Sequence, residues 1–201
     1  MQIQKENLEE KSIDIIDSLN YAKRIQDTIL PGSEKIASLI PDSFVLFEPK
    51  DIVSGDFYWL ERHGNKRFIA AADCTGHGVP GAMVSVVCAN ALTKSLHEAN
   101  ITEPHLLLDN VHRIVLEQFT QNNQSVKDGM DIALVSVEKK GKETELSYAG
   151  ANNPLWIVKR NGVNNLLEQL DTQQAKYKVT EAHDYHLIEV KPDKIAIGQH
   201  D

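Results

Sequence analysis

The segment from Arg67 to about Glu98 constrains this chain most. An apolar run, Arg67–Ala72, ends on a carboxylate at Asp73, and a glycine-rich loop, Thr75-Gly76-His77-Gly78-Val79-Pro80-Gly81, follows it. The chain then enters a stretch, Ala82 to about Glu98, that is apolar on nearly every side through Leu92. That pattern reads as a strand, a tight loop and a helix buried all round, which only a layered domain can cover.

The flanking pattern supplies the layers. Ser43–Phe47 and Asp56–Glu61 read as strands, and His63-Gly64-Asn65 turns the second into Arg67–Ala72. A second helix near Glu103–Phe119 carries Leu107, Val111, Ile114 and Val115 on one face, and Gln121–Lys127 is a polar loop. Strands return at Ile132–Glu138, at Glu145–Ala149 after a turn at Gly141, and at Leu155–Lys159. Asn161-Gly162 is a hairpin signal. Val163–Leu167 and His186–Val190 continue the strands, and polar Asp171–Ala182 reads as an exposed loop. Strand pairs, then two helices, then hairpins predict an α+β domain with antiparallel sheet, not an alternating βαβ fold.

Ahead of it, about 30 residues form one amphipathic helix, with Leu8, Ile15, Leu19, Ala22 and Ile29 at helical spacing and Pro31-Gly32 as its stop. Ser12, Ala22 and Gln26 on that seam weaken it as a coiled coil. Packing on its own domain and service as a partner-binding arm both stay open.

Composition narrows the function. The 201 residues carry 21 Lys and Arg against 29 Asp and Glu, a net charge of −8, which argues against a general nucleic-acid binder. Two cysteines, Cys74 and Cys88, make neither a disulfide framework nor a zinc site and suit a reducing compartment. No stretch approaches the roughly 20 apolar residues of a spanning helix. The polar, acidic start MQIQKENLEEKS is unlike a signal peptide, so a cytoplasmic chain is expected.

Two carboxylates stand out by context. Asp56 follows Gly55 at a strand start and Asp73 ends an apolar strand, so neighbouring strands would bring both to one sheet edge. With a carbonyl from the turn after Asp73 they make a hard-oxygen site for Mg²⁺ or Mn²⁺. The alternative, that each Asp caps a turn, stays open. The glycine loop lacks the Gly-Lys-Ser/Thr of a P-loop and the spacing of a dinucleotide fingerprint. Cys74 with His77 is a candidate thiol and base, set against a structural thiol beside a buried strand. The histidines His63, His97, His105, His112, His183, His186 and His200 show no ligand spacing.

Four ordered blocks carry a resemblance: Gly55-Asp56-Phe57-Tyr58; Ala72-Asp73-Cys74-Thr75-Gly76-His77-Gly78-Val79-Pro80-Gly81-Ala82-Met83; Asp128-Gly129-Met130-Asp131-Ile132-Ala133; and Leu146-Ser147-Tyr148-Ala149-Gly150-Ala151-Asn152-Asn153-Pro154-Leu155. From about residue 40 onward the chain resembles the SpoIIE-type branch of the PPM (protein phosphatase 2C-like) metal-dependent serine/threonine phosphatases. Residues 18–26 resemble the linker helix that often precedes such domains, which divides the chain into a linker helix, 1–31, and a phosphatase domain, 40–201.

The resemblance implies a β-sandwich of two antiparallel sheets flanked by helices, with a binuclear Mn²⁺/Mg²⁺ centre at one sheet edge. By position, Asp73 bridges the metals, the Cys74 carbonyl binds one of them, and Asp56 serves that same metal directly or through water. A bridging hydroxide would attack phosphoserine or phosphothreonine in line. His77 is a candidate for protonating the leaving group, Gly78 lies beside the site, and Lys50 is a candidate phosphate contact. Asp128 and Asp131 are candidates for holding water or for capping strand ends.

The family pattern continues past Asp201, with a Ser-Asp-Gly block and paired aspartates that this sequence lacks. Ala196-Ile197-Gly198-Gln199-His200 resembles the segment just before them. The expectation is therefore a domain incomplete at its C-terminus and weak or inactive in turnover. The implied partner is a phosphorylated regulatory protein, such as an antagonist of an anti-sigma factor in bacteria, with a homodimer through the N-terminal helix. A non-catalytic signalling or dimerisation module is the rival reading, and a Cys74 thiol hydrolase a distant third.

Overall fold

Apolar side chains at alternate positions in three segments give the central sheet its buried face, and a fourth segment extends its edge. The computed structural model describes residues 2–120, 128–160 and 176–198. Strands β1 (Phe57–His63), β2 (Lys66–Cys74), β3 (Met130–Lys140) and β4 (Glu143–Ala151) lie antiparallel in the order β1-β2-β3-β4. Phe57 and Trp59 of β1, Phe68, Ala70, Ala72 and Cys74 of β2, and Met130, Ile132 and Leu134 of β3 are all buried on one face. Gly64, with φ +58°, closes the β1–β2 hairpin.

Two helices cover that face. In α3 (Gly78–His97), Val84, Cys88, Leu92 and Leu96 recur every four residues. In α4 (Pro104–Thr120), Leu107, Val111 and Val115 do the same. All seven belong to one buried cluster with the strand residues. Each such aliphatic side chain contributes about 1.5–3 kcal/mol when taken from water. Burial also explains why α3 is long and apolar enough to cross a membrane by length and composition. That corrects the reading that no stretch is so apolar, and the helix serves as the core of this domain.

A second antiparallel sheet, in the order β5-β7-β6, is formed by β5 (Leu155–Arg160), β6 (Tyr177–Ala182) and β7 (Tyr185–Val190), with Ile188 and Val190 buried. The chain after β7 then returns to the first sheet. Asp193 N–H donates to the Gly150 carbonyl at 2.9 Å, and Met130 and Ile197 exchange both backbone hydrogen bonds at 3.0 and 2.9 Å. Two antiparallel sheets with helices, preceded by an N-terminal helix, are the α+β architecture expected from sequence.

Four local readings need correction. Residues 43–47 form no strand. Phe44 and Leu46 are exposed, and among the described residues no strand pairs with this apolar run. The polar stretch 171–182 contains β6, whose Tyr177 and Val179 pair with Val190 and Ile188. Helix α3 begins at Gly78 rather than Ala82. Pro80 falls in its first turn, where a missing N–H breaks no helical bond. A short helix, α2 (Ser33–Leu39), follows Pro31-Gly32. The expected loop at 121–127, hairpin turn at Asn161-Gly162 and strand at 163–167 lie outside the described residues.

The N-terminal helix, α1 (Gln2–Gln26), divides the two roles left open for it. Its last turns carry half-buried Leu19 and Ala22 and buried Gln26 against the domain, while Leu8 and Ile15 are 69% and 61% exposed.

Candidate metal centre

The register of one hairpin creates the site. Phe57 pairs with Ala72, so Asp56, just before β1, arrives beside Asp73 near the end of β2. Because Ala72 and Cys74 point toward the helices, Asp73 projects from the opposite, open face. Its carboxyl is held above the ordinary carboxylate range, first by partial desolvation, then by a hydrogen bond with Asp56 and by the charge of Asp56. Two carboxyl groups within hydrogen-bonding reach, with ionisation of Asp73 disfavoured by its neighbour, are the donor set that a divalent cation relieves. The residues present therefore fit a hard metal ion. Among the described residues, no three His, Cys, Asp or Glu side chains converge on one point.

Backbone close to these carboxylates is interleaved at glycine. A Cβ on Gly55 would lie 2.8 Å from the Gly76 carbonyl oxygen and 3.1 Å from that of Cys74. A Cβ on Gly81 would lie 2.5 Å from the Gly76 oxygen and 3.1 Å from the Gly55 Cα. Only glycine lets the loop before β1, the turn after β2 and the first turn of α3 approach so closely. Cys74 N–H donates to the Gly55 carbonyl at 3.4 Å, which joins the two carboxylate-bearing segments directly. The Cys74 thiol points into the core, and its hydrogen bond to Cys88, with burial, pushes its pKa far up. A thiol enclosed in the core beside Cys88 is shielded from a substrate, which argues for the structural role over the thiol-hydrolase reading.

A second tier of polar groups surrounds the pair. Asp131 is the cross-strand partner of Asp73 on the same face, and it accepts a hydrogen bond from Asn152 Nδ2 at 2.8 Å. Asn152 adopts φ +58°, a left-handed conformation that asparagine tolerates. Asp73, Thr75, Asp131 and Asn152 line a cleft of 310 Å³. A larger groove, 750 Å³, lies between α3, Trp59 and Phe119 on the helix-covered side, and its lining includes neither carboxylate.

The Thr75 hydroxyl donates to Asp128 Oδ1 at 2.9 Å and accepts from the Gly129 N–H at 3.1 Å. Asp128 thus braces the turn after β2. Thr75→Val keeps the shape and loses both bonds, so urea denaturation is expected to show a loss of about 1–2 kcal/mol. An unchanged midpoint would remove Thr75 from this bracing role.

The other sequence candidates fall at the margin. His77 caps α3 in extended backbone, largely exposed, with Nδ1 3.4 Å from Asp51 Oδ2. Gly78, at φ +62°, sits beside the same Asp51 carboxylate. Lys50 is exposed. Sequence reasoning passed over Asp51, Thr75 and Asn152. Thr75 and Asn152 stand inside recognisable blocks, but only the β2–β3 register and the left-handed turn bring them to the cleft.

A family model described as Stage II sporulation protein E (SpoIIE) matches residues 63–173. No curated protein sequence matches the chain. Among solved structures, the chain is similar to the SiaA-PP2C domain of Pseudomonas aeruginosa, at 26% identity and a TM-score of 0.71 over 95% of this chain. It spans 65% of the length of that domain. More distant likenesses are to a Stage II sporulation E family protein from Thermanaerovibrio acidaminovorans and to the RsbU and RsbW domains of a Mycobacterium tuberculosis protein. The first has 15% identity and a TM-score of 0.42, covering 52% of this chain and 49% of that one. The second has 22% identity and a TM-score of 0.41, covering 55% and 28%.

Proposed function

Because the chain belongs to the Stage II sporulation protein E (SpoIIE) family, we propose that it is a metal-dependent protein phosphatase acting on phosphoserine or phosphothreonine of a regulatory protein. The observation that carries this reading is the Asp56–Asp73 pair on the open face, with Asp73 disfavoured as an anion until a cation arrives. Asp73 and Asp56 would hold Mn²⁺ or Mg²⁺, with the Cys74 carbonyl completing the protein's share. When bound, the ion supplies Lewis acidity that acidifies water and polarises the phosphoryl group. The cleft beside Asp73 admits the phosphorylated side chain, with Asp131 held in place by Asn152.

His77, exposed at the start of α3, is proposed to protonate the leaving group, with Asp51 orienting its ring. Lys50 and the Gly78 backbone are proposed phosphate contacts. A cytoplasmic setting agrees with two free, buried thiols. An antagonist of an anti-sigma factor is the proposed substrate class. Since two carboxylates, not more, converge among the described residues, turnover by these 201 residues is expected to be weak. The test is phosphate release from a phosphoserine protein with Mn²⁺ or with EDTA. Release that ignores EDTA would defeat the reading.

One observation favours a second, compatible role. The first turns of α1 expose Leu8, Ile13, Ile15 and Ile16, more apolar surface than a solvated helix needs. We propose that this half of α1 pairs with its copy in a homodimer. Sedimentation is expected to show concentration-dependent association that Leu8→Asp/Ile15→Asp removes. A wild-type chain monomeric at all concentrations would dismiss the dimer.

A further inference from the structure

Gln26, the last residue of α1, is 5% exposed and has every arm of its amide engaged. Its Oε1 accepts the Ser54 N–H at 3.0 Å, while Nε2 donates to the Ser54 carbonyl at 2.5 Å and to the Ser85 hydroxyl at 2.9 Å. Ser85 is fully buried in α3, and its hydroxyl donates a hydrogen bond to the Ala82 carbonyl at 2.8 Å. Ser54 in turn accepts the Asp56 N–H on its hydroxyl at 3.0 Å. One side chain of α1 thus grips Ser54 at both backbone groups, and Ser54 grips the residue that carries a metal-site carboxylate.

An apolar replacement would leave a buried N–H and a buried C=O without partners, so the grip is specific to a side chain with both a donor and an acceptor. A residue wanted only to dock α1 on the domain would be apolar, like Ala22 and Leu19 about one and two turns earlier. The polar choice at the point that meets Ser54 is what docking alone leaves unexplained.

We propose that Gln26 is a positioning residue for Asp56, fixing from α1 the backbone that carries this carboxylate. The inference rests on the reading of Asp56 as part of the metal centre. It is tested on the full chain by Mn²⁺ titration calorimetry and, in the metal-free chain, by hydrogen exchange at the Ser54 and Asp56 amides.

Gln26→Leu is expected to weaken Mn²⁺ binding about tenfold, the cost usual for a group that supports a ligand. Exchange at the Asp56 amide should speed up by a similar factor. Leu19→Ala, which loosens α1 without touching Ser54, should leave both within about twofold. Ser54→Ala should reproduce the Gln26→Leu effect, and the double variant should add little, because both act through one chain of bonds. Mn²⁺ affinity and Asp56 exchange unchanged in Gln26→Leu would overturn the proposal, as would equal effects from Leu19→Ala. Should Gln26→Leu fail to fold, Ser54→Ala and Gln26→Glu, which keeps the acceptor and loses the donor, carry the same comparison. A wild-type chain that takes up no Mn²⁺ would defeat the metal reading alone. Exchange at Asp56 would then decide the positioning role by itself.

Discussion

Asp73→Asn is expected to abolish Mn²⁺-dependent phosphate release, by at least about a hundredfold, and at the same time to raise the melting temperature of the metal-free chain. The two effects have one cause. The Asp73 carboxyl stands above its ordinary pKa in the folded chain because of desolvation and of Asp56. The folded state therefore binds that proton more tightly than the unfolded state, and stability falls as pH rises from the ordinary carboxylate value through the raised one. The penalty therefore grows as pH rises across that window. The asparagine amide removes the negative charge, so the variant gains above that pH window and gains nothing below it. Mn²⁺ should raise the melting temperature of the wild type, by stabilising the state that binds it, and leave the variant unmoved. Thermal scans at pH 7 and below pH 4, each with Mn²⁺ or EDTA, check the pattern. A variant less stable than wild type without metal would contradict the repulsion between the two carboxylates, and retained turnover would contradict the metal reading.

The hairpin that builds this pair was legible because it depends on short-range signals: alternation in β1 and β2, a His-Gly-Asn turn, and aspartates at the two adjacent ends. The same logic failed where long-range pairing decides. Residues 43–47 are an apolar run like a strand but have no described neighbour, while the polar segment holding Tyr177 and Val179 becomes a strand because β7 offers it an edge. Gln26 shows the limit most sharply. On a helical seam it read as a polar flaw in a coiled coil, and nothing local reveals that Ser54 and Ser85, 28 and 59 residues away, supply its partners. The start of α3 was misplaced for a different reason. Glycine and proline usually break helices, yet here Pro80 sits in the one turn that tolerates it, and Gly81 is glycine for want of space.

That want of space carries the second large effect. Gly81→Ala would stabilise α3 if helix propensity ruled, since alanine outranks glycine by about 1 kcal/mol inside a helix. The surroundings reverse the sign. The new methyl would stand 2.5 Å from the Gly76 oxygen, 2.9 Å from its carbon and 3.1 Å from the Gly55 Cα, all of them backbone atoms. No rotamer change relieves such a contact, so strands or helix must separate, and overpacking of this kind costs about 1–3 kcal/mol. The separation acts where Cys74 N–H meets the Gly55 carbonyl, between the two carboxylates. Mn²⁺ affinity is therefore expected to fall at least about tenfold, a larger loss than an equally destabilising change remote from the site would cause. Gly32→Ala is the control: nothing lies within 4 Å of its Cβ, and as a helix N-cap it should cost no more than about 1 kcal/mol. Urea denaturation and Mn²⁺ titration of both variants give the comparison. A Gly81→Ala chain that is stabilised, or that binds Mn²⁺ like the wild type, would show that the loop before β1, the turn after β2 and the first turn of α3 do not lock together at this crossing. The metal centre would then have to owe its geometry to the side chains alone.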